Sequence, residues 1–315
     1  MIPGAMTFHS GFAAIVGRPN AGKSTLLNAL VGEKVAIVSS HPQTTRNRIL
    51  GIVNRPGAQM VISDTPGLHK PDSLLGKQML EEIEQALDGI HVLLLIVDAA
   101  QKFGTGDQYA LDRAERFRGP RILLLNKVDR MRKDALLPLI DAYRKKLDFA
   151  EIIPISALTG DGVELLIKTL VKYLPEGPPY FPEEQYTDQP ERFLASEIIR
   201  EKVLQHTRQE LPHAVAVMLD KFDEGEKLTR IHAAIYVDRE GQKGIVIGRG
   251  GSMLKTIGTE ARLELEKMLG RKIFLEMFVK VRPNWRDLAA VVRQLDWRRE
   301  LEEMAPEEEG EAESD

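Results

Sequence analysis

The octapeptide Gly17-Arg18-Pro19-Asn20-Ala21-Gly22-Lys23-Ser24 constrains this chain more than any other segment. It fits the pattern G-x-x-x-x-G-K-[ST]. It also stands between a short apolar run, Phe12–Gly17, and a stretch with helical spacing, Lys23–Val31. A glycine-rich turn joining a buried strand to a helix aims successive backbone N–H groups at one point, and the helix N-terminus adds partial positive charge there. The result is a cradle for a phosphate chain. Lys23 reaches the β- and γ-phosphates, the Ser24 hydroxyl ligates Mg²⁺, and Thr25 completes the phosphate-binding set.

The segments that follow fit the fold such a loop requires. Ile49–Val53 and Gln59–Ser63 flank the turn Arg55-Pro56-Gly57 and read as an antiparallel hairpin. His91–Asp98, Arg121–Asn126 and Glu151–Ile155 are apolar strands, separated by helical spacing at Leu74–Leu87, Gln108–Phe117, Lys133–Leu147 and Val163–Leu174. This alternation gives an α/β P-loop G domain, a mostly parallel sheet with helices on both faces, over residues 1–174. Pro175, Pro178, Pro179, Pro182 and Pro190 then crowd one stretch, so 175–190 is expected to be an extended, stiff linker. Beyond it come a helix at Phe193–Arg208, strands at Ala214–Phe222 and Leu228–Val237, and a glycine-rich turn. A helix at Met253–Leu269 and a strand at Ile273–Val281 complete an α+β domain over 191–299.

The net charge of −4 conceals a strong polarity. Gly241–Arg299 carries 13 Lys/Arg against 6 Asp/Glu, whereas residues 300–315 carry 9 acidic and no basic residues. A basic segment of this kind attracts a polyanion locally, whatever the overall charge. The acidic tail is expected to be disordered. Cysteine is absent, which excludes disulfides and Cys-ligated zinc and fits a reducing cytoplasm. The start MIPGAMTFHS has no basic region leading into an apolar core, so no signal peptide is expected, and no apolar run suffices to span a bilayer.

Three further motifs specify the nucleotide. Asp64-Thr65-Pro66-Gly67 follows a strand; Asp64 is placed to hold Mg²⁺ through water, and the Gly67 N–H to sense a γ-phosphate. Asn126-Lys127-Val128-Asp129 ends another strand. The Asp129 carboxylate accepts two hydrogen bonds from guanine that adenine does not offer. Asn126 bonds the other edge of the base and braces the phosphate loop, and the Lys127 stem covers the base face. Ser156-Ala157-Leu158 adds a backbone N–H to the guanine carbonyl. A switch threonine that ligates Mg²⁺ is expected in His41-Pro42-Gln43-Thr44-Thr45-Arg46; Thr45 is the first choice and Thr44 the second. Together the motifs resemble the translational-GTPase-like branch of P-loop proteins. Leu68 stands where Ras-like relatives carry a glutamine after the glycine, so the residue that positions the attacking water is unassigned.

In the second domain, Ile245-Val246-Ile247-Gly248-Arg249-Gly250-Gly251 leads into a helix. G-x-x-G in this setting is how a KH domain clamps a nucleic-acid backbone. Gly248, Gly250 and Gly251 allow close approach, Arg249, Lys255 and Lys280 supply charge, and Ile245 and Ile247 line the groove under the bases. With both halves considered, the chain resembles the Era family of GTPases, a G domain followed by a type II KH domain. Pro42-Gln43-Thr44-Thr45-Arg46, Asp64–His69, Arg239–Lys243, Lys255–Arg262 and Val279-Lys280-Val281 carry that resemblance. It implies a slow, Mg²⁺-dependent GTPase that binds the 3′ end of small-subunit ribosomal RNA (16S) while GTP is bound. It also implies help in 30S assembly and peripheral contact with the inner membrane; a monomer in the cytoplasm is expected. The alternative is a GTPase switch whose second domain binds a protein partner.

Overall fold

The structure is a computed structural model and describes residues 7–39, 41, 43–68, 71–207 and 211–298. The acidic tail over 300–315 lies outside the described residues, as do Pro42, His69 and Arg208.

Six strands form the first sheet: β1 (His9–Val16), β2 (Ile49–Arg55), β3 (Ala58–Asp64), β4 (Val92–Asp98), β5 (Arg121–Asn126) and β6 (Glu151–Pro154). Their spatial order is β2-β3-β1-β4-β5-β6, with β2 antiparallel to β3 and every other pairing parallel. β4 is buried along its whole length, which is why it reads VLLLIVD with no alternation. On one face Ala13, Ile15, Leu94 and Leu124 pack against α1 (Lys23–Val31) and α5 (Val163–Val171) through Leu26, Leu30, Leu166 and Leu170. On the other face Leu93, Leu95 and Leu123 pack against α3 (Thr105–Arg116) and α4 (Leu136–Arg144) through Ala110, Leu111, Ala114 and Tyr143. Each leucine fully buried in this way contributes about 1.5–3 kcal/mol.

Two helices depart from the sequence reading for local reasons. α3 starts at Thr105, ahead of Gln108, because the Asp107 carboxylate turns back to accept from the Gly104 N–H at 2.9 Å. α4 starts at Leu136, after a 3₁₀ turn at Lys133–Ala135, which puts Pro138 in the first turn, where a missing N–H is harmless.

The segment from Pro175 to Pro190 makes a turn at Pro182–Gln185 and is bonded to the first sheet along its length. The Ile52 N–H donates to Tyr186 O at 3.0 Å, and the Thr187 hydroxyl to Leu50 O at 2.8 Å. Gln59 accepts from the Tyr180 and Phe181 N–H groups at 2.7 and 3.0 Å. The strap thus covers β2, which would otherwise be an open edge of the sheet.

The second half contains α6 (Glu191–His206), β7 (Ala216–Asp223), β8 (Leu228–Val237), α7 (Glu240–Ile247), α8 (Ser252–Leu269), β9 (Lys272–Val281) and α9 (Ala289–Gln294). The sheet order is β7-β8-β9, with β8 and β9 parallel because two helices intervene between them. Ile231, Ala233 and Ile235 face α6 and α8. The opposite face, through Ala216, Met218 and Tyr236, packs on Trp285, Val291 and Val292, and on Leu75 and Met79 of α2 (Leu74–Leu87). α2 therefore belongs to both cores. The glycine-rich turn is present at Gly248–Gly251, but a helix the sequence reading did not expect, α7, precedes it. Gly241 and Gly244 each disfavour that helix by about 1 kcal/mol. Against that, Gln242 accepts from the Asp238 and Arg239 N–H groups at 2.9 and 3.0 Å, and Val246 is fully buried.

Candidate functional site

The phosphate loop leaves β1 and enters α1 through Gly22, whose φ of +103° favours glycine. A Cβ there would also stand 2.2 Å from the Asn126 amide nitrogen, so the loop and the end of β5 approach too closely for any side chain. Lys23 is buried, and its ammonium donates to Gly17 O at 3.2 Å and Arg18 O at 3.1 Å. Burial pulls its pKa down to about 8, against the opposing charge of Asp64. Arg18 pairs with Asp107 at 3.3 Å and donates to Gln101 at 2.8 Å, tying the loop to the start of α3.

Three oxygens converge beside Lys23. Asp64 Oδ2 accepts from the Ser24 hydroxyl at 2.6 Å and from the Thr45 hydroxyl at 3.1 Å, and those hydroxyls lie 2.8 Å apart. Asp64 is fully buried; burial pushes its carboxyl above the ordinary range despite Lys23, Ser24 and Thr45. Its other oxygen, Oδ1, has no hydrogen-bond partner among the described residues. An all-oxygen cluster with an orphaned carboxylate oxygen fits a hard cation such as Mg²⁺. The structure brings Thr45 into this cluster and turns Thr44 away, since the Thr44 hydroxyl donates to His41 O at 2.7 Å.

The next loop packs tightly. Thr65 donates to Ile15 O at 2.8 Å, Pro66 and Gly67 are buried, and the Leu68 N–H bonds Gly17 O at 3.2 Å. The Leu68 side chain is in the core, in one cluster with Val16 and with Ile83 of α2.

At the end of β5, Asn126 donates to Ala21 O at 2.7 Å and accepts from the Ala157 N–H at 2.9 Å, so one side chain joins three loops. Ser156 donates to Asp129 Oδ1 at 2.6 Å and sets that carboxylate's rotamer. Leu158 is largely exposed. Lys127 donates to Asn20 O at 2.7 Å and pairs with buried Asp98 at 2.8 Å. Sequence reasoning missed Asp98 and Asp107; a carboxylate ending β4 and one opening α3 were the available signals.

The loop after α1 is held from the second half. The Val38 N–H donates to Glu201 at 2.8 Å, Arg200 bonds Thr44 O, and Arg46 donates to Val215 O at 2.9 Å while lying over the Trp285 ring. Lys34 bonds Glu201 and Glu264. Arg298 grips Glu82 of α2 with both contacts at 3.1 Å.

Gly248, Gly250 and Gly251 all have positive φ, and a Cβ on Gly248 would stand 2.6 Å from that of Met253. Arg249 is exposed. Beside the loop lies a groove of about 390 Å³ lined by Gly251, Leu254, Lys255, Arg262, Leu275 and Met277. Ile245 is exposed, whereas Ile247 packs on the domain core. Lys280 is not brought to this groove. It pairs with Tyr236 in register and bonds Asp220 at 2.9 Å, on the sheet face away from α8, because successive strand residues alternate faces.

A family model described as a 50S ribosome-binding GTPase matches residues 12–127, and one described as a KH domain matches 210–286. GTPase Era of Syntrophus aciditrophicus (strain SB) is 50% identical over 295 residues, covering 93% of this chain and 96% of that protein. The chain belongs to the Era family of GTPases. Era of Staphylococcus haemolyticus (strain JCSC1435) is 46% identical over 93% of this chain and 98% of its own length. A crystal structure of Era with MgGDPNP and nucleotides 1506-1542 of 16S ribosomal RNA superposes with a TM-score of 0.88 at 43% identity, covering 92% of this chain and 99% of that one. A point variant of Aquifex aeolicus Era bound to GDP.AlF4- superposes equally well, with a TM-score of 0.88. The 50S wording of the broader family model differs from the 16S RNA held by this Era relative; the relative matches across nearly the whole chain and is the more specific guide.

Proposed function

We propose that this GTPase binds single-stranded RNA at the 3′ end of small-subunit ribosomal RNA in its GTP-bound state and assists 30S assembly. The observation that carries the reading is the position of the loop around Thr45. One side of it meets Ser24 and Asp64, and the other is held by Arg200 and Val215 of the second domain. A change at the phosphates therefore reaches the RNA-binding half through one short segment.

In this reading residues 1–174 are the G domain, 191–299 the KH domain, and the strap joins them. Gly17–Thr25 cradles the phosphates, with the Lys23 ammonium as their charged donor. Ser24 and Thr45, with Asp64 through water, hold Mg²⁺, which when bound neutralises phosphate charge. Asp129, aligned by Ser156, selects guanine, and Asn126 keeps the two ends of the site in register. The buried Leu68 side chain cannot orient water, so slow turnover without a partner follows. Arg249 and Lys255 meet the RNA backbone beside the glycine loop. Cytoplasmic location accompanies this reading; among the described residues no helix is long and apolar enough to cross a membrane.

The test is filter binding of a single-stranded RNA carrying the 3′ end, at several salt concentrations, to protein loaded with GDP or a non-hydrolysable GTP analogue. Affinity should fall steeply with salt, be higher with the analogue, and collapse in an Arg249→Asp/Gly250→Asp variant. Salt-insensitive binding that the variant leaves unchanged would favour a protein partner for the second domain.

A further inference from the structure

A substantial cavity lies away from the nucleotide loop. It lies between the loop after α1, helix α6, the β7–β8 sheet face and α9, and encloses about 740 Å³. Arg46, Arg200, Arg282 and Arg293 line it, and among the described lining residues the carboxylates are those of Glu197 and Asp220. Both carboxylates are engaged: Arg200 holds Glu197 at 2.6 and 2.8 Å, and Lys280 holds Asp220 at 2.9 Å. Among the described residues no carboxylate forms an ion pair with Arg46, Arg282 or Arg293.

The hydrogen-bonding inventory shows the same imbalance. Arg46 Nε, Arg200 Nη1 and Trp297 Nε1 are buried N–H donors without an acceptor among the described residues, and all three residues line this cavity. Arg46 and Arg200 are 5% and 2% exposed. A site with surplus donors and surplus positive charge calls for a ligand that only accepts and is multiply negative.

We propose that this cavity is a second anion site that takes a small polyphosphate-bearing molecule. Guanidinium forks match phosphate oxygens in pairs, and they reach the cavity from several separate elements, as a compact polyanion requires. The volume is within the range of roughly 300–1,000 Å³ usual for small-molecule sites. Phe193, Tyr236 and Trp297 add aromatic walls, so a nucleoside polyphosphate and a free polyphosphate share the recognising chemistry. Because Arg46 follows Thr45 directly, an occupant bridges the switch loop to the second domain. The proposal does not rest on the RNA reading.

The experiment is calorimetric titration of inorganic tripolyphosphate, and separately of ATP, into full-length protein loaded with one equivalent of GDP. An Arg282→Gln/Arg293→Gln variant should bind about tenfold more weakly or worse. Asp220→Asn, which removes a carboxylate from the wall, should bind more tightly, a gain that misfolding cannot mimic. ATP binding more tightly than tripolyphosphate would identify a nucleoside polyphosphate as the occupant; the reverse order would identify a free polyphosphate. Absence of binding, or equal affinity in all three proteins, would overturn the proposal. So would displacement of tripolyphosphate by single-stranded RNA but not by ATP, which would mark an RNA-backbone site.

Discussion

Glu82 offers a direct measure of how firmly the two halves are held. It is buried on α2, accepts from the Arg48 N–H at 2.8 Å, and meets Arg298 at 3.1 Å through both carboxylate oxygens. Arg298 also bonds Arg48 O, so the three residues form one closed unit. Arg48 is pushed below the usual arginine range by burial and then by Arg298, with Glu82 opposing, so neutralising Glu82 leaves two guanidiniums facing each other. Removing one partner of a buried pair costs about 3–5 kcal/mol. The Arg298 side chain retains 22% exposure, so solvent screens part of this, and about 2 kcal/mol of coupling is a fair figure. That corresponds to about a 30-fold shift in the docking equilibrium. The assay is amide hydrogen exchange in Glu82→Gln, Arg298→Gln and the double variant. The Val38 and Arg48 amides, both bonded to interface carboxylates, should lose protection in each single variant, while those of β4 should not. The double variant should lose little more than either single one. Strict additivity, or unchanged protection at Val38 and Arg48, would refute the clamp.

Asp129→Asn should move preference from guanine toward xanthine nucleotides in competition binding; wild-type protein that bound ATP as tightly as GTP would show the motif to be misassigned. Leu68→Ala should destabilise folding by about 2–5 kcal/mol in denaturant titrations, because Leu68 is core, while hydrolysis per folded molecule changes only modestly. Loss of all hydrolysis with normal GTP binding would contradict that. The Glu264 carboxyl is penalised by burial but held below its usual 4.5 by Lys202 and Lys34, so its contribution is present above that pH and lost as pH falls through the lower folded value. Interdomain protection at Val38 should therefore weaken on acidification below pH 4.5, and Glu264→Gln should remove that component of the pH dependence.

The local elements and the chemistry of each loop were legible in the order of residues alone. Gly22 and Lys23 dictate a phosphate loop wherever a strand precedes and a helix follows, and VLLLIVD dictates a strand buried on both faces, because those signals depend on neighbours within a few residues. Periodicity likewise gave α1 and α2 their bounds, whereas α7 was hidden by Gly241 and Gly244, whose cost is offset only by the burial of Val246 in a core made of distant residues. Tertiary structure alone decided that Thr45, not Thr44, meets Ser24 and Asp64, since adjacent threonines differ only in which way the loop turns. It placed Lys280 on the far face of its sheet, closed the edge of β2 with the proline strap, and gathered arginines from separate elements around one cavity. Contacts between residues far apart in sequence carry no periodic signature, because their geometry is set by how whole layers pack.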